Sequence, residues 1–80
     1  MSFLFEVYYN PPADAAKEAA LTEHVRALGG RLDYREEAPP NGHSGICLTY
    51  EFDSLDGARR AAETLRRLGE HVEGPADYGP

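Results

Sequence analysis

Glu6, Glu51 and His71 are the side chains in this chain best suited to moving a proton. Two carboxylates held side by side cannot both ionise freely once water is withdrawn, so one of them becomes an acid near neutral pH. A neighbouring imidazole then supplies the complementary base. Glu73 lies two residues after His71, on the same face if the segment is extended. The ordinary alternative for the same residues is a wet strand face, on which cross-strand ion pairs add solubility and about a few tenths of a kcal/mol.

Other reactive types are sparse. Cys47 is the sole cysteine, and no histidine is tied to it by spacing, so it reads as a packing residue and not a nucleophile. His24, His43 and His71 share no ligand spacing, and neither a Cys-x-x-Cys nor a His-Glu-x-x-His motif occurs. Neither a metal site nor a cofactor is expected. The segment Asn41–Gly42–His43–Ser44–Gly45 has the composition of an anion nest. It opens no helix, however, and reads as a hairpin loop.

Arg59, Arg60, Arg66 and Arg67 are half of the basic residues. Spaced i,i+4 from Asp56, Glu63 and Glu70, they describe a salt-bridged helix face and not a nucleic-acid patch.

Glu6 and Glu51 can meet only on adjacent strands, and the hydrophobic periods supply those strands. Phe3–Tyr9 alternates, with Phe3, Phe5, Val7 and Tyr9 on one face and Leu4, Glu6 and Tyr8 on the other. Asn10–Pro11–Pro12 ends that strand, and Asn10 or Asp14 caps a helix over about Ala13–Leu28, whose stripe is Leu21, Val25 and Leu28. Gly29–Gly30 stops the helix.

Arg31–Glu37 reads as an edge strand. Its apolar side is Leu32 and Tyr34, and its other side is Arg31, Asp33 and Arg35, which places Arg35 beside the two glutamates. Ile46–Phe52 carries the densest apolar face, with Cys47, Thr49 and Glu51 opposite. A helix over Leu55–Leu68 has Leu55, Ala58, Ala61, Ala62, Leu65 and Leu68 as its buried stripe. A short last strand, Glu70–Glu73, is broken by Gly74–Pro75, leaving residues 75–80 as a tail in which Tyr78 docks or frays.

The 80 residues accommodate one domain, and a chain of this size has a thin stability margin that oligomers commonly widen. With 14 acidic against 8 basic side chains, the net charge is −6, which argues against nucleic acid and anionic membranes. No apolar run approaches the ~20 residues of a spanning helix. Glu6 comes too early for a signal peptide, and one free thiol suits a reducing cytoplasm.

The order strand, helix, strand, strand, helix, strand resembles the ferredoxin-like βαββαβ pattern over nearly the whole chain. The resemblance implies an α+β two-layer sandwich: a four-stranded antiparallel sheet in the order 4-1-3-2, two helices on one face and the other face bare. RNA-recognition motifs are similar in strand order, but Cys47, Thr49 and Glu51 stand where stacking aromatics would be. Acylphosphatases need an arginine in the first turn, where this chain has Asn10–Pro11–Pro12. ACT-like regulatory domains, which pair side by side or face to face, are similar in size. Dimeric α+β-barrel proteins are similar in their short first strand and proline-bearing turn.

The expected function is therefore a cytoplasmic, non-enzymatic homodimeric binding or regulatory module with a small-molecule or protein partner. The alternative is a cofactor-free dimeric-barrel enzyme using Glu6, Glu51 and His71 on a small polar organic substrate.

Overall fold

A computed structural model describes residues 2–37 and 45–77. The elements are β1 (Phe3–Tyr9), α1 (Ala15–Ala27), β2 (Arg31–Glu37), β3 (Ile46–Phe52), α2 (Leu55–Arg67) and β4 (His71–Asp77). The strands form one antiparallel sheet in the order β2-β3-β1-β4, which is 4-1-3-2 read from the other edge. Two helices cover one face. This is the ferredoxin-like fold.

The core lies between that sheet face and the helices. Phe5, Val7, Ile46, Leu48, Tyr50 and Phe52 supply the sheet side and are almost fully buried. Each such side chain contributes on the order of 1.5–3 kcal/mol by leaving water. Phe5 packs against Tyr50 and Phe52 with ring centroids 5.7 and 5.6 Å away.

The two helices are attached differently. α2 buries Ala58, Ala61, Ala62 and Leu65, and the small alanines let its backbone approach the sheet; of the expected stripe, Leu55 is half-buried and Leu68, at the C-cap, is exposed. α1 buries only Leu21 and Val25. Polar contacts supplement that short stripe: Thr22 Oγ1 lies 2.9 Å from the Tyr50 hydroxyl, Lys17 pairs with Glu70 at 3.1 Å, and Glu18 binds Arg35. Asp14 caps α1 by accepting from the Lys17 N–H, and Ser54 caps α2 by accepting from the Gly57 N–H.

Two departures from the sequence reading matter for function. The first is in β2. Arg31 and Leu32 pair with Glu51 and Tyr50, but Tyr34 pairs with Thr49, so Asp33 is an extra residue in a β-bulge. Past the bulge every side chain changes face. Arg35, expected beside Glu6 and Glu51, instead lies on the helix side and grips Glu18. Tyr34 and Glu36 take the bare side opposite Thr49 and Cys47.

The second departure is in β4, which runs through Gly74–Pro75 to Asp77 and does not stop at Glu73. Gly74 and Pro75 together span the place of one partner residue, Phe5, between the pairs Glu6–Glu73 and Leu4–Ala76. A side chain on Gly74 would meet the Leu4 carbonyl and Phe5 at 3.1 Å, and its φ is +106°. Arg66 of α2 donates to the carbonyls of Val72 (3.1 Å) and Gly74 (2.7 Å), fixing the bulged segment.

Both sheet edges are thereby guarded. β2 is bulged and charged, and β4 carries Pro75, which has no N–H to offer. No helix among the described residues is long and apolar enough to cross a membrane.

Candidate functional site

The bare face is built from the outward residues of four strands. Leu4, Glu6 and Tyr8 of β1 and Cys47, Thr49 and Glu51 of β3 form its half-buried centre. His71 and Glu73 of β4 are exposed on one flank, with Arg31, Tyr34 and Glu36 of β2 on the other.

Antiparallel register decides which of these meet. Glu6 lies between Thr49 and Glu73, and Tyr8 between Cys47 and His71, whereas Glu51 lies opposite Leu4 and Arg31. Glu6 and Glu51 are thus diagonal neighbours, with Cβ atoms roughly 7–8 Å apart in such a geometry. Their side chains have different partners. Glu51 pairs with Arg31 at 3.1 Å, and Arg31 also reaches Asp53 at 3.3 Å. Glu6 accepts from the Cys47 thiol, with Sγ 3.8 Å from Oε2. His71 Nε2 donates to Glu73 Oε2 at 2.9 Å, and its ring meets Tyr8 edge to face at 5.9 Å.

The face therefore holds two groups and not one triad. Glu6, Tyr8, Cys47, His71 and Glu73 gather along the β1–β4 seam. Glu51 is held with Arg31 and Asp53 near the β2 edge. Tyr8 was missed as a site residue on the sequence, although its parity with Glu6 in a central strand is the signal that would have found it.

The seam also tunes its own groups. Desolvation pushes the Tyr8 phenol up, and the nearby Cys47 and Glu6 push it further, so it stays a neutral hydroxyl. Desolvation likewise raises the Cys47 thiol, and the charge of Glu6 adds to the effect. A thiol held protonated is a poor nucleophile.

Two clefts open along the seam. One, of about 480 Å³, lies among Tyr8, Tyr9, Asn10, Gly45, His71 and Glu73. The other, of about 280 Å³, is bounded by Leu4, Glu6, Thr49, Glu73 and Gly74. Glu73 belongs to both. Among the described residues, no three His, Cys, Asp or Glu side chains cluster so as to hold a metal ion. His43 and the rest of the 41–44 loop, together with Tyr78, lie outside the described residues.

The α2 arginines divide their roles. Arg60 pairs with Asp56 at 3.1 Å and Arg67 with Glu63 at 2.6 Å, as the i,i+4 spacing predicts. Arg66 does not reach Glu70; it binds the β4 carbonyls instead.

No protein-family model matches the chain, and a search of curated proteins finds no relative.

Proposed function

We propose that this chain is a small, non-enzymatic binding module of the cytoplasm that works as a homodimer, two copies meeting across their bare sheet faces. The observation that carries this reading is that, among the described residues, the sheet has one covered face, two guarded edges and one bare face. Helices cover one side of the sheet, and both edges resist strand addition. What remains is the bare face, whose central side chains are already half-buried. A second copy would also widen the thin stability margin of a chain this short. The single free thiol suits a reducing compartment.

Light scattering at several protein concentrations tests the dimer. Thr49→Glu adds a further carboxylate at the centre of an acidic face without touching the core, and is expected to yield a folded monomer. A wild-type chain that stays monomeric at every concentration overturns the homodimer.

A second reading, a cofactor-free enzyme doing acid/base chemistry, draws on one observation: Glu73 orients His71 beside Tyr8. Its test is loss of C–H proton signals when small polar carbon acids are incubated with the protein in deuterated water. Exchange that His71→Ala abolishes would favour the enzyme, and no exchange across the panel favours the module.

A further inference from the structure

The larger cleft of the β1–β4 seam brings aromatic surface and carboxylate together. The rings of Tyr8 and His71, 5.9 Å apart and inclined at 62°, make an aromatic corner. Glu73 stands at that corner, with its carboxylate oriented by His71 at 2.9 Å. Its register partner across the seam is Glu6, which bounds the smaller cleft, and Glu73 lines both clefts. Among the described residues, no lysine or arginine pairs with either of them. Arg31, the arginine on this face, is engaged with Glu51 and Asp53 at the far edge.

These groups select a ligand by charge and by shape. An anion entering the cleft meets the Glu73 carboxylate, with Glu6 beside it across the seam, and among the described residues no lysine or arginine lines it. An ammonium gains charge-assisted hydrogen bonds from the same groups. An attached ring gains apolar and aromatic contact at the Tyr8–His71 corner, and the ammonium gains cation–π contact with the Tyr8 ring. About nine non-hydrogen atoms at ~30 Å³ each fit within the cleft of about 480 Å³.

We propose that the cleft bounded by Tyr8, His71 and Glu73 binds a small aromatic amine in its ammonium form. The inference deepens the binding role proposed above and rests on it, but it does not require the dimer.

The test is an NMR titration of the labelled full chain with three probes. 2-Phenylethylamine carries both ring and ammonium, butylamine only the ammonium, and phenylacetate the ring with the opposite charge. Saturable shifts at Tyr8, His71 and Glu73 are expected with 2-phenylethylamine, with about tenfold weaker binding of butylamine and none of phenylacetate. Glu73→Gln, at an exposed position, is expected to weaken the amine severalfold while leaving the rest of the spectrum in place; Glu6→Gln is expected to act in the same direction. The proposal is overturned by equal binding of phenylacetate, by butylamine binding as tightly as the arylamine, by an affinity that neither variant changes, or by no saturation at about millimolar amine.

Light scattering on the same samples separates the two proposals. A monomer that takes the amine at this cleft overturns the homodimer and leaves the site standing. Indifference to all three probes in both the dimer and the monomeric Thr49→Glu variant, whose face is uncovered, overturns the site and leaves the homodimer.

Discussion

Glu18 shows how much of this small fold hangs on single polar side chains. Its carboxylate accepts from the Tyr9 hydroxyl and, in a fork, from Arg35 Nε at 2.6 Å and a second guanidinium nitrogen at 3.0 Å. The Arg35 hydrogen bonds hold the Glu18 carboxyl below the ordinary range, Tyr9 adds to this, and partial desolvation opposes it. A carboxyl whose folded pKa lies below its unfolded one stabilises the protein above the unfolded value and loses that contribution as pH falls through the folded value. Glu18→Gln should therefore lower the urea midpoint at neutral pH, and the gap to wild type should close below about pH 4. Glu23→Gln, on the exposed side of α1, is the control; an equal loss there would deny Glu18 its special role. Cys47 carries a second prediction at this scale. With its thiol raised by burial and by Glu6, it should react with a disulfide reagent at about pH 8 several times more slowly than the same chain unfolded in urea. Equal rates would place the thiol in open water.

At the scale of the element, the sequence carried most of the architecture but missed two local events. The strands β1 and β3 and the helix α2 were legible because their apolar periods are unbroken. β2 was legible as an edge, yet not its facing, since one extra residue at Asp33 leaves no mark on composition while sending Arg35 to the helix side. That is also why Arg35 was expected beside Glu6 and Glu51. β4 was cut short because Gly–Pro ordinarily ends a strand. Here the pair forms a bulge that Arg66 holds from α2. The division of the candidate site into two groups was hidden for a related reason: parity assigns residues to a face, whereas register and ion pairing decide their neighbours.

Two glycines test the β4 assignment. Gly69, at φ +93°, has open space where a Cβ would go, so Gly69→Ala should cost about 1 kcal/mol for the left-handed backbone alone. Gly74, at φ +106°, adds contacts at 3.1 Å with Leu4 and Phe5, so Gly74→Ala should cost about 2–3 kcal/mol. Chemical denaturation measures both; a smaller loss at Gly74 than at Gly69 would mean that the bulge is not held as described.

For the whole molecule the sign of the bare face is decisive. Glu6, Glu36, Glu51 and Glu73 share it with Arg31 and His71. Two copies meeting there bring like charge to like charge, and salt screens that repulsion, the Debye length shrinking from about 10 Å at 0.1 M to about 3 Å at 1 M. The proposed dimer should therefore tighten as salt rises, which sedimentation at low and high ionic strength would register. A dimer that loosens with salt would have its interface elsewhere.

The guarded edges have a consequence of a kinetic kind. A native chain whose described sheet edges are both guarded gives a neighbour no template along them, so ordered polymerisation at the sheet must await global opening. Aggregation under heat should then follow the unfolding rate and be insensitive to preformed seeds. Acceleration by sonicated aggregates at temperatures where the chain is still folded would show that one edge is open after all.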